Sequence, residues 1–137
     1  MSLPDALRDA AESLPAVNLA VLFGSTVRGQ EWAQSDVDVG VLLEPNTVAT
    51  RGETERAFGR VVSREVGREV DLVDLETAPP LLRLRVAQQG RPLVEREPGT
   101  WVRFKAKAMR DWYDWAPYAR RLNRAARERL REKVADG

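Results

Sequence analysis

Hydrophobic residues enter the chain at helical spacing. Leu3, Leu7, Ala10, Ala11 and Leu14 share one stripe, and Ser2 and Asp5 stand in capping-box spacing ahead of it, so a helix is predicted over Pro4 to Leu14 and ended by Pro15. The period then changes. Val17 to Phe23 is a short, unbroken, β-branched run that predicts a buried strand stopping at Gly24-Ser25, and Val37 to Leu43 repeats the pattern as a second strand. Thr50 and Glu53 form another capping box before Ala57, Phe58, Val61, Val62 and Val66, which recur at steps of three and four in a helix that Gly67 terminates. Val70 to Leu75 predicts a third strand, Pro79 to Gln89 a helix stopped by Gly90, and Pro92 to Val94 a short strand or extended piece. Beyond Pro98-Gly99, Trp101, Phe104, Ala108, Trp112 and Trp115 recur at helical spacing as core contacts. Pro117 then starts or kinks a last helix carrying Tyr118, Leu122, Ala126 and Leu130. The order predicts an α/β (α+β) fold, a small mixed β-sheet with helices packed mainly on one face, plus C-terminal helices.

The length of 137 residues suits one domain, with residues 1–97 as its core and residues 98–137 as a helical extension. Hydrophobic residues at 43% and charged residues at 31% are the proportions of a globular protein, and no apolar run reaches the roughly 20 residues of a membrane span. The opening MSLPDALRDAAESL lacks the basic start and apolar stretch of a secretory signal, so a cytoplasmic location is expected. The chain has neither cysteine nor histidine. Disulfides, thiol nucleophiles and thiolate metal sites are thereby excluded, together with the commonest general base. Any metal must be held by carboxylates, which points to a hard ion such as Mg2+ or Mn2+. Charge is unevenly spread: residues 1–99 carry 11 Lys/Arg against 16 Asp/Glu, and residues 100–137 carry 11 against 5.

The stretch LFGSTVRGQEWAQSDVDVGVLL, Leu22 to Leu43, carries the candidate chemistry. It sets a Gly-Ser turn after one strand and an acid pair at the start of the next. Gly24 suits a strained turn, and Ser25 with nearby amides can present donors to a phosphate; an ordinary strand-ending turn has the same composition. Asp36 and Asp38 are two apart, so both side chains point to one face of the strand while Val37 and Val39 point into the core. Like charges side by side weaken a strand, a cost that a divalent cation between them offsets. Asp71 opens the third strand. If that strand pairs beside the second, Asp71 completes a three-carboxylate cluster able to hold two Mg2+ ions. Gly24 and Gly29 have the glycine spacing of a P-loop, but Gln30 and Glu31 stand where Lys and Ser/Thr are needed, which argues against a Walker-type NTPase.

Gly24-Ser25, ten intervening residues, Asp36-Val37-Asp38 and then a strand bearing Asp71 together resemble the signature of the DNA polymerase beta-type nucleotidyltransferase superfamily. Within it, FGSTVRG, SDVDVGVLL and EVDLVDL are similar to the minimal nucleotidyltransferases (MNT), antitoxins that act beside HEPN-family toxins. The resemblance covers Val17 to Glu95. It implies the nucleotidyltransferase fold, with Gly24 and Ser25 holding the triphosphate, Asp36 and Asp38 binding both metals, and Asp71 ligating the catalytic metal and assisting deprotonation of the acceptor. Arg28 matches the family's Arg-Gly step and is either a phosphate contact or an ordinary surface arginine. Thr26 departs from the basic or aromatic residue many relatives carry there.

The implied activity is transfer of AMP from ATP to a hydroxyl, a tyrosine of a cognate HEPN toxin, with Mg2+ as cofactor. About 40 residues after the core leave little for a dedicated small-acceptor domain. Aminoglycoside-type nucleotidyl transfer is the enzymatic alternative. A binding antitoxin acting by occlusion is the other, although occlusion alone does not require three carboxylates on adjacent strands. Arg120, Arg121, Arg124, Arg127, Arg129 and Arg131 after Pro117 suggest a partner-binding face, or a salt-laced surface helix in which Glu128 and Glu132 pair with the arginines. No membrane partner is expected. Nucleic acid is not the expected partner either, since exposed aromatics among the late arginines are missing apart from Tyr118.

Overall fold

The computed structural model describes residues 2–24, 36–44 and 50–136, with residues 50, 135 and 136 described by their backbone. Along the chain run α1 (Leu3–Glu12), β1 (Val17–Phe23), β2 (Val37–Leu43), α2 (Thr50–Val66), β3 (Val70–Asp74), α3 (Pro80–Gln89), β4 (Arg91–Glu95) and α4 (Thr100–Asp136). The four strands form one sheet in the order β3-β2-β1-β4. β1 pairs antiparallel with β2 and with β4, and β2 pairs parallel with β3, so the sheet is mixed as expected. The piece at Pro92 to Val94 lies in a true edge strand, β4, whose Arg91, Pro92, Val94 and Glu95 match Leu22, Val21, Ala20 and Leu19 across one register shift.

The capping box at the first helix is present. Ser2 Oγ donates to Asp5 Oδ2 at 2.8 Å and accepts from Asp5 N at 3.3 Å, leaving one fewer orphan donor in the first turn. The helix stops at Glu12, before Pro15, where Ser13 Oγ donates to the Ala10 carbonyl at 2.6 Å. The second capping box falls on the Thr50 side chain, outside the described residues. Val66 is 37% exposed, so the apolar stripe of α2 ends in the core at Val62.

The helices do not lie mainly on one face of the sheet; that expectation is corrected. Successive β1 residues point to opposite faces, and both sets are buried. Ala20 and Leu22 join Leu7, Phe58 and Val62 under α1 and α2, while Leu19, Val21 and Phe23 join Leu75, Val86, Phe104 and Ala108 under α3 and α4. A strand buried on both faces reads as a continuous apolar run, which identifies the strand without saying which helix covers which side. Gly90 lies at this second packing interface. A Cβ there would collide with the Val86 carbonyl and with Val21 Cγ1, so close approach of α3 to β1 demands glycine, while its φ of −72 is ordinary.

Pro117 also departs from expectation. It does not start a separate helix: α4 runs through it for 37 residues as a single C-terminal helix. Of the predicted aromatic stripe, Phe104 and Ala108 are buried and Trp101 and Trp112 half-buried, but Trp115 is 37% exposed. Two arginines not singled out from the sequence tie the layers together. Arg96 donates from Nη2 to the carbonyls of Ala11, Glu12 and Leu14 and from Nε to Val17, fastening the end of α1 to the start of β1. Arg83 of α3 is buried and donates to Asp111 of α4 at 2.6 Å.

Candidate active site

The parallel pairing of β2 with β3 sets Asp38 directly beside Asp71 as register partners. On its other side Asp38 is matched with Phe23 of β1. One row across the sheet therefore reads Asp71, Asp38, Phe23, on the face opposite Val37, Val39 and Val41, which are buried under α1 and α2. Asp36 stands two residues before Asp38, just ahead of the strand. The Val37 amide donates to the Glu69 carbonyl at 2.9 Å, which ties the start of β2 to the residue before β3 and fixes the three acids at one corner. Asp36 and Asp71 are exposed and Asp38 is half-buried.

Asp38 carries the mark of this crowding. Its burial first, then the charges of Asp71 and Asp36, push its carboxyl up from 3.8 to about 6. Among the described residues no lysine or arginine forms an ion pair with any of the three. Like charges placed opposite one another on paired strands destabilise the sheet, so this corner works against folding unless a cation answers it. The donor set is all carboxylate, which fits a hard divalent ion of the Mg2+ kind. Among the described residues no trio of acids already closes into an ion cage: the three share a corner without surrounding one point.

Gly24 completes the corner. It follows β1 with φ at +81, a conformation that side-chain-bearing residues rarely adopt. A Cβ on Gly24 would strike Asp38 Oδ2, with Cγ 3.2 Å away, so Gly24 lies directly against the acid. Gly24 and Asp38, weak signals when separate in the sequence, are neighbours in the fold. Ser25 and Arg28, the other expected phosphate contacts, lie outside the described residues, as do Thr26, Gly29, Gln30 and Glu31.

Phe23 is the residue at this corner that sequence reading treated as core alone. It is 7% exposed and flanks Asp38 in the row, closing the inner side of the acid cluster with apolar surface. The sequence signal was only its place as the last strand residue before Gly24; which acid it meets is set by the β1–β2 register.

The arrangement has counterparts among known proteins. Over 82 residues the chain is 33% identical to the protein adenylyltransferase MntA of Shewanella oneidensis, a stretch that covers 60% of this chain and 57% of that protein. The match thus spans little more than half of that relative's length. The fold superposes with a TM-score of 0.70 on a toxin-antitoxin crystal structure with AMP-PNP, at 23% identity, covering 90% of this chain and 98% of that one. It also superposes with a TM-score of 0.65 on a complex of tri-AMPylated Shewanella oneidensis HEPN toxin with MNT antitoxin, at 21% identity, covering 90% and 96%. At these identities the two structures establish the fold. The family described as "Polymerase beta, Nucleotidyltransferase" matches residues 5–99, a span from α1 through Gly24, Asp36, Asp38 and Asp71 to the turn before α4, and the chain belongs to that family.

Proposed function

We propose that this protein is a Mg2+-dependent nucleotidyltransferase that moves AMP from ATP to a tyrosine hydroxyl of a cognate HEPN toxin and thereby serves as an antitoxin. The observation that carries the reading is the register pairing of Asp38 with Asp71 at the corner where Gly24 meets the Asp38 carboxylate. Residues 1–97 are the catalytic core in this reading and residues 98–137 its helical extension. The MntA relative and the AMP-PNP and AMPylated complexes support the donor and the acceptor class.

Gly24 and Ser25 hold the triphosphate, with Arg28 as a further phosphate contact. Asp36 and Asp38 would hold both metal ions and Asp71 one of them. Bound Mg2+ supplies neutralisation of the triphosphate charge and activation of the acceptor oxygen. The tyrosine oxygen bonds to the α-phosphorus, the bond from that phosphorus to the bridging oxygen breaks, and pyrophosphate departs with that electron pair. Asp71, exposed on the edge strand, takes the phenolic proton. Phe23 closes the inner side and keeps water from that flank of Asp38.

Mass spectrometry of the co-expressed toxin tests the reading after incubation with Mg2+ and each of the four ribonucleotides. Addition of an AMP moiety to a tyrosine, with ATP only, is the expected result; an unmodified toxin under every condition overturns it. Neutralisation by occlusion is a second reading, favoured by the exposed apolar side chains on the last half of α4.

A further inference from the structure

The sequence pattern of α4 does not end where the protein body ends. Ala108 is buried, and Trp115 and Leu122 follow it at steps of seven, so all three lie on one side of the helix. Tyr118 flanks that side and Leu130 extends it. Yet Trp115 is 37%, Tyr118 52%, Leu122 50% and Leu130 63% exposed. The side that seals the sheet in the first half of the helix runs on, uncovered, for the second half. Trp115 and Tyr118 already pack on each other, rings 5.1 Å apart, so the largest anchors are held in place before anything binds.

We propose that this continuation is a docking seam for an amphipathic helix of a partner protein, one that carries an apolar stripe and acidic residues at one end. Charge argues for a different protein over a second copy. Residues 117–136 hold seven Lys/Arg against Glu128, Glu132 and Asp136, so two such helices would meet with like charge. Arg129 and Lys133 fall on the apolar side itself, at its far end, where a partner must offer carboxylates. Among the described residues no ion pair joins Glu128 or Glu132 to any arginine. Arg120, Arg124, Arg127 and Arg131 stand on the opposite side of the helix, at steps of four, three and four, and take no part in the seam. An apolar stripe with preset Trp and Tyr is the usual footing for helix-in-groove recognition.

That the partner is the HEPN toxin rests on the function proposed above; the seam itself does not. The test uses the full chain co-expressed with the toxin. Leu122→Glu with Leu130→Glu is compared with Arg124→Glu with Arg127→Glu on the opposite side, and thermal melts, toxin capture and AMP transfer to the toxin are all read. The seam pair is expected to lower capture at least tenfold with an unchanged melt, and the opposite pair to leave capture within twofold. Capture unaffected by the seam pair overturns the inference, as does loss of capture with the opposite pair alone, which would mark a polyanion site. A wild-type chain that is dimeric without toxin, and monomeric as the seam pair, also overturns it, in favour of a second copy. Seam-dependent capture without AMP transfer would leave the seam standing and remove the enzymatic reading; transfer and capture untouched by the seam pair would do the reverse.

Discussion

Asp38 occupies the space that a side chain on Gly24 would need. A Cβ at that position meets the Asp38 carboxylate, and the backbone φ of +81 adds strain for any residue but glycine. Gly24→Ala is therefore expected to cost about 1 to 3 kcal/mol of stability. Its larger effect is on activity, because the displaced group is the acid itself: AMP transfer falls by far more than the loss of folded protein explains. Turnover measured beside chemical denaturation separates the two. A variant with wild-type turnover per folded molecule would mean that the contact has no bearing on the site.

Asp36→Asn and Asp38→Asn are each expected to abolish transfer with the fold intact, since no neighbouring acid takes over the lost charge. Chelation of Mg2+ should do the same to the wild type and be reversed by adding the ion back. The assay is AMP incorporation at saturating Mg2+, with circular dichroism for the fold. Either asparagine variant working near the wild-type rate would remove that residue from the metal site.

In chelator, the raised Asp38 carboxyl makes stability depend on pH in a defined direction. Its folded value of about 6 lies above the unfolded value near 3.8, so the folded state holds the proton more tightly. Stability is therefore full below about pH 4 and lost as pH rises through 6. The shift is worth at most about 3 kcal/mol, and solvent screening at a half-buried site reduces it to roughly 1 to 2. Asp38→Asn should remove this slope and be the more stable protein at pH 7, with the difference vanishing by pH 4. Urea midpoints across this range decide it: a wild type no less stable than the variant at pH 7 contradicts the assignment.

Strand positions and the three acids were legible because each rests on local pattern. A β-branched apolar run, a glycine after it and an Asp-x-Asp at period two need no knowledge of distant chain. Asp71 needed a pairing, and the parallel β2–β3 register supplied it. Helix placement was not legible for a physical reason: with both faces of β1 buried, its sequence has no polar side to say which face is open. Pro117 misled as a helix start because a proline suits a first turn, and only the long helical stretches on both sides of it decide otherwise. Arg83 was missed because nothing in α3 reveals that its partner lies 28 residues further on. One signal was there, an arginine three residues before Val86 on the buried side of an otherwise apolar helix stripe.

That arginine leads to the last prediction. Asp111 accepts from Arg83 Nη1 at 2.6 Å and from Lys107 Nζ at 3.0 Å, and the bond from Lys107, then that from Arg83, hold its carboxyl below the usual range. The two partners are not equally replaceable. Arg83→Met leaves Asp111 still paired with Lys107 and keeps an unbranched apolar stem over Phe104, whose ring centre lies 5.7 Å from the guanidinium carbon. Its cost should be about 1 kcal/mol, the net worth of one hydrogen bond. Asp111→Asn instead strands a buried guanidinium whose Nε already has no hydrogen-bond partner, so it should destabilise more than Arg83→Met does. In the double variant the stranded charge is gone, and stability should recover above that of Asp111→Asn alone. Guanidinium chloride titration of the three variants tests the order. If Asp111→Asn proves the milder single change, the ion pair between α3 and α4 is a surface contact, and the two helices are held by Val86, Phe104 and Ala108 alone.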